Sequence, residues 1–60
     1  MDITVTFDFW GNVWLVKATG DWAGGTIVAA APDRDDANTY ARNLFRVVSA
    51  HGVTATLHEG

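Results

Sequence analysis

The sequence predicts an α+β fold of order βββαβ: a four-stranded mixed sheet, strand order 3-2-1-4, with one helix packed on one face. Three observations lead there. Residues 3–9, 13–19 and 53–58 carry apolar side chains at every second position, the period of a half-buried strand. Residues 33–51 switch to the 3.6-residue period of an amphipathic helix. Gly11-Asn12, between the first two alternating runs, has the composition of a tight hairpin turn.

The first run, "ITVTFDF" (3–9), points Ile3, Val5, Phe7 and Phe9 one way and Thr4, Thr6 and Asp8 the other. With Gly leading the Gly11-Asn12 pair, a two-residue type II′ turn is expected. "VWLVKAT" (13–19) is then the returning strand. That turn sets Trp10 opposite Val13, Phe9 opposite Trp14, Asp8 opposite Leu15 and Phe7 opposite Val16. Opposed residues share a face of the sheet. The core face therefore collects Ile3, Val5, Phe7, Phe9, Trp14, Val16 and Ala18. Trp10, Val13, Leu15 and Lys17 share the outer face with Thr4, Thr6, Asp8 and Thr19. A one-residue slip would mix the two sets, so this agreement supports the pairing.

"GDWAGG" (20–25) reads as a Gly-dense loop and "TIVAAA" (26–31) as a weaker third strand, suited to a sheet edge or to close helix contact. Asp33 is the expected N-cap, after Pro32, and Asp35 and Asp36 sit where the helix dipole favours anions. Gly52 fits the position just past the helix. Ala37, Tyr40, Ala41, Leu44, Val47 and Val48 make its apolar stripe, widened by Phe45. Thr39, Arg42, Arg46 and Ser49 make its wet face. The helix spans about 17 residues, roughly 25 Å at the usual rise. "VTATLH" (53–58) is the last strand, with Val53, Ala55 and Leu57 inward. The helix returns the chain parallel to the first strand. The first strand has the strongest alternation and belongs between neighbours, which gives the order 3-2-1-4.

Length and charge bound the function. Sixty residues make one domain, 1–60, which buries only about 60% of its unfolded surface and is marginal alone. With no cysteine, neither disulfides nor thiolate metal sites can staple it, and oligomerisation is the leading remaining route. A net charge of −3, with one lysine and three arginines, argues against nucleic acid as the main partner and against anionic membranes. No apolar run approaches the roughly 20 residues of a span, and "MDITVTFDF" has neither a basic n-region nor an h-region. A cytoplasmic location is expected.

No catalytic or metal constellation emerges, and no cofactor is expected. Asp33, Asp35 and Asp36 are explained by capping. Asp8 lies on another element, whereas a two-metal nuclease needs convergent carboxylates. His51 and His58 lack metal-ligand spacing on one element. His51 suits a helix's last turn, where the dipole favours a cation. "AGGT" (23–26) precedes a strand and lacks a lysine, so it is not a phosphate loop. Arg42 and Arg46, one turn apart, read as a solvated helix face. The aromatics say more. Trp10, Val13 and Leu15 form an apolar patch on the uncovered sheet face, with Trp22 in the adjacent loop. Such patches mark interfaces, and Trp is enriched at their hot spots.

"ITVTFDFWGNVWLVKATGD" as a ribbon around a Gly turn, followed by the helix "DRDDANTYARNLFRVV", resembles HicB-like domains. The family's aromatic and β-branched residues after the turn are matched by Trp14, Leu15 and Val16. Its acidic helix start and later Ala-Arg step are matched by Asp35, Asp36, Ala37, Ala41 and Arg42. The resemblance implies a pared-down ribonuclease H-like fold and the role of an antitoxin in a toxin–antitoxin pair. Two departures stand out. "GDWAGG" replaces the family's Pro-rich segment, and the chain stops at Gly60 without the usual C-terminal DNA-binding segment, which puts operator binding in doubt. The expectation is a non-enzymatic, self-associating protein-binding module. Its interface is expected at Trp10, Val13, Leu15 and Trp22, and a toxin-like protein is its expected target. A small accessory protein (for example phage-encoded) that binds a host protein is one alternative. A nucleic-acid-binding ribonuclease H-like remnant is another.

Overall fold

The computed structural model describes residues 1–20 and 26–60. Five elements follow in chain order: β1 (Asp2–Asp8), β2 (Val13–Thr19), β3 (Ile27–Ala31), α1 (Arg34–Ala50) and β4 (Thr56–His58). They build one mixed sheet of order β3-β2-β1-β4. β2 runs antiparallel to both β1 and β3, and β4 runs parallel to β1. The predicted βββαβ architecture and strand order are those of the molecule.

The core sits between the helix and one face of the sheet. Ile3 and Val5 of β1, Val16 and Ala18 of β2, and Ala37 and Ala41 of α1 are buried together. Period two explains the strand members: Val5 pairs with Val16 and Ile3 with Ala18, so all four share a face. Ala37 and Ala41 lie one turn apart, and their small side chains let the helix approach the strands. Leu44, Phe45, Val48, Leu57 and Trp14 pack around this centre, partly buried. Tyr40 and Val47, expected in the apolar stripe, are 46% and 54% exposed. The buried stripe is narrower than the sequence pattern and is rotated toward Asn38, which is 7% exposed.

Both helix ends are closed as the sequence predicts. The Asp33 carboxylate accepts the Asp36 N–H at 2.8 Å, satisfying one of the orphan donors of the first turn. At the other end His51 is the C-cap residue. Gly52 (φ +81°) donates to the Ser49 carbonyl at 3.0 Å, and Val53 donates to the Val48 carbonyl at 3.0 Å. This pair of bonds is a Schellman motif, whose left-handed residue suits Gly. It also corrects the expected last strand. The Val53 N–H is engaged by the helix end, so β4 begins only at Thr56, whose N–H donates to the Met1 carbonyl at 2.9 Å. Val53 is 38% exposed, not inward.

The hairpin differs from expectation in its register. Asp8 pairs with Val13, Phe7 with Trp14, Thr6 with Leu15 and Val5 with Val16. Each expected pairing is displaced by two residues, and the loop holds four, 9–12. A two-residue shift preserves the alternation, so the assignment of β1 and β2 side chains to faces survives although the turn does not. The cause is local. The Asp8 side chain accepts the Trp10 N–H at 3.2 Å, an Asx-type turn. Asn12, not Gly11, takes the positive φ of 55°, which Asn tolerates better than most residues. A type II′ turn would need positive φ at Gly11.

Candidate interaction surface

The hairpin loop is where the sequence leaves its large rings in water. Trp10 is 95% and Phe9 81% exposed, and Phe7, at the adjoining end of β1, is 45% exposed. Phe7 meets Trp14 edge-on, with ring centroids 5.3 Å apart and planes at 62°, a favoured arrangement for aromatic pairs. Trp14 is thus half-buried beside Phe7, not beside Phe9 as the two-residue turn implied. Phe9 was expected inward. It lies instead beyond the last ladder pair, where no helix covers it.

The loop bends toward the uncovered face. A Cβ placed on Gly11 would stand 2.7 Å from Asp8 Oδ2 and 3.4 Å from Val13 Cγ2, and both residues belong to that face. This approach accounts for Val13 and Asp8 being half-buried on a sheet surface without a helix. Trp10 and Val13, expected as cross-strand partners, are not paired. Of the four expected interface residues, Val13 and Leu15 stand on the uncovered face in β2, and Trp10 stands at the loop. Trp22 lies outside the described residues. Leu15 pairs with Thr6 on one side and Ala30 on the other. Lys17 pairs with Val28, which is 55% exposed. Val28 and Ala30 therefore extend the apolar strip to the β3 edge. Sequence reasoning passed over them because small residues in a weak strand carry little hydrophobic signal.

The same end of the molecule is acidic. β3 finishes at Ala31, opposite Trp14, and the chain passes through Pro32 into the helix start. Asp33, Asp35 and Asp36 therefore lie at the end that carries the hairpin loop and Asp8. Arg34 is the one basic side chain of this segment. Elsewhere Arg42 pairs with Glu59 at 2.5 Å and Arg46 donates to Asn43 Oδ1, so the two arginines do not converge on a shared anion. Among the described residues, no three His, Asp or Glu side chains are grouped to hold a metal ion. No helix among them is long and apolar enough to cross a membrane.

Asn38 completes the picture from beneath. Its Nδ2 donates to the Gly60 carbonyl at 3.3 Å, and its Oδ1 accepts the Gly60 N–H at 3.0 Å. A Cβ on Gly60 would lie 2.9 Å from Trp14 Cζ3 and 3.0 Å from Val5 Cγ1. The segment after β4 thus folds against the sheet and supports Trp14, and a side chain at Gly60 would have to displace the Trp14 ring or Val5. The sequence signal was weak: a polar residue one position from Ala37 in a helix normally reads as solvated.

Comparison with models of known families, with curated proteins and with solved structures returns no match for this chain.

Proposed function

We propose that this chain is a non-enzymatic protein-binding module of HicB-like, antitoxin type. In this reading it self-associates, and it covers the surface of a toxin-like protein with the aromatic end of its β1–β2 hairpin. The observation that carries the reading is the exposure of Trp10 and Phe9, at 95% and 81%, on a loop held by its own Asx turn. Leaving two large rings in water forgoes about 1.5–3 kcal/mol of burial each, on the scale of a large apolar side chain. A partner that covers them recovers that energy, and a pre-set loop loses little entropy on binding. The acidic surround of Asp8, Asp33, Asp35 and Asp36 favours a cationic partner surface. The βββαβ order and the residues that resemble HicB-like domains support the choice of partner class.

Co-expression with the product of the adjacent reading frame, followed by calorimetric titration of the purified pair, tests the reading. The chain is expected to restore growth to cells making that product. Trp10→Asp is expected to weaken binding about thirtyfold, the lower end of hot-spot behaviour, and to abolish rescue. A neighbouring product that neither binds nor arrests growth, or one bound equally well by Trp10→Asp, would overturn it.

A further inference from the structure

The proposed reading includes self-association, which the sequence alone assigns to the surface of Trp10, Val13, Leu15 and Trp22; the structure offers a different one. We infer that β3 is that surface: two copies pair their β3 strands antiparallel across a two-fold axis, joining two four-stranded sheets into one of eight.

Among the described residues β3 is the terminal strand of the sheet, bonded to β2 on one side only. An edge strand presents a row of backbone donors and acceptors that another strand can complete, and proteins that stay monomeric usually blunt such edges with charge, Pro or bulges. Ile27–Ala31 reads Ile-Val-Ala-Ala-Ala, with no charged residue and no proline. Its five consecutive ladder pairs with β2 contain no bulge. The opposite edge is unlike it. β4 has three residues, Thr56–His58, and is followed directly by Glu59, which is held by Arg42.

A second copy is the occupant the strand fits, because antiparallel pairing of a segment with itself is self-complementary, as a two-fold interface requires. Centring the axis on Ala29 pairs all five residues. Ile27 then meets the partner's Ala31, and Val28 meets the partner's Ala30. The second pairing lays a valine that is 55% exposed beside a small residue. It also continues the strip of Leu15 and Ala30 into the other copy. Alanine at three successive positions sets no bulk between the backbones. Pairing forms about four to six new backbone hydrogen bonds, according to which alternate groups point outward. The area is a few hundred Å² per copy, below the roughly 800 Å² of a standard interface. The dimer is therefore of micromolar to sub-millimolar affinity, and it leaves the aromatic loop free for another protein.

Sedimentation of the intact chain from about 1 µM to about 1 mM, a range set by that small area, is the test. It is run on wild type, Ala30→Lys and Trp10→Asp, with amide hydrogen exchange followed in parallel. Ala30 is exposed on the uncovered face, so a lysine there charges the edge without entering the core. The expected result is a wild-type dimer, at least tenfold weaker dimerisation for Ala30→Lys and a change under twofold for Trp10→Asp. Alternate amides of 27–31 should also gain protection as concentration rises. A wild-type monomer throughout overturns the inference. So does a dimer lost in Trp10→Asp and kept in Ala30→Lys, or one without new protection in 27–31. A wild-type monomer also removes self-association from the proposed function, whereas toxin binding is measured separately with the partner protein.

Discussion

Replacing Asn38 by alanine should destabilise the domain by about 1–3 kcal/mol, the net worth of two hydrogen bonds at about 0.5–1.5 kcal/mol each. The structure supplies the reasoning. Asn38 is 7% exposed and makes both a donor and an acceptor bond to Gly60, at 3.3 and 3.0 Å. Removing the amide returns the Gly60 N–H and backbone oxygen to water, and it opens a small void between α1 and the sheet. The neighbouring tie between the same segment and the helix, Arg42 to Glu59, is weaker although its members are charged. Their side chains are 58% and 42% exposed, where screening and lost side-chain entropy leave such pairs at about 0–1 kcal/mol. Urea denaturation followed by far-UV circular dichroism measures both. Asn38→Ala should lower the midpoint with little change in slope, equivalent to a fall of about 4–24 °C in Tm for a domain of this size. Glu59→Gln should shift it by less than a third as much. Asn38→Asp keeps the acceptor, sets a carboxylate against the Gly60 carbonyl and should fall at least as far as Asn38→Ala. In the alanine variant the Gly60 amide should exchange freely and the Trp14 indole resonance should move, because Gly60 packs on that ring. An Asn38→Ala protein as stable as wild type, with Gly60 still protected, would refute the view that the Asn38–Gly60 pair holds the last segment down.

Ile3→Ala should cost about 2–5 kcal/mol, the range for truncating a fully buried aliphatic side chain, and so threatens folding outright; thermal unfolding reads it directly. Asp33→Ala should cost about 1 kcal/mol through loss of the helix N-cap, visible as a lower denaturation midpoint. Gly52→Ala should cost about 1 kcal/mol because alanine resists the positive φ. Trp10→Asp should leave stability within about 0.5 kcal/mol, as for surface changes in general, and a larger loss by the same assay would place the ring in the core.

How far the fold was legible can be judged from particular residues. Asp33 and Gly52 announced the helix ends because capping is decided within four residues of chain. The alternation of Ile3, Val5, Val16 and Ala18 announced the buried face because side-chain parity is local. The hairpin pairing was not legible from the same pattern. Registers two residues apart bury the same faces, so hydrophobicity cannot choose between them. The choice was made by Asp8 folding back on the Trp10 N–H and by Asn12 entering the left-handed region. A reading that weighed Asp8 and Asn12 as turn formers, ahead of the Gly11-Asn12 pair, had the signal available. Phe9 lies outside the core for that reason. Of the expected surface, Trp10 is exposed as anticipated, whereas its anticipated pairing with Val13 gives way to that of Asp8 with Val13.

By itself, the sequence determined the element order, the helix caps, the face that each β1 and β2 side chain takes and the exposure of Trp10, because each depends on near neighbours along the chain. The tertiary structure alone decided two things. It turned Asn38 inward to meet Gly60, and among the described residues it left β3 paired with β2 alone. Both depend on segments far apart in sequence arriving at the same place. The end of the ladder at Asp8 and Val13 stands between the two, because the turn chemistry of Asp8 and Asn12 is local whereas hydrophobic alternation cannot choose the register.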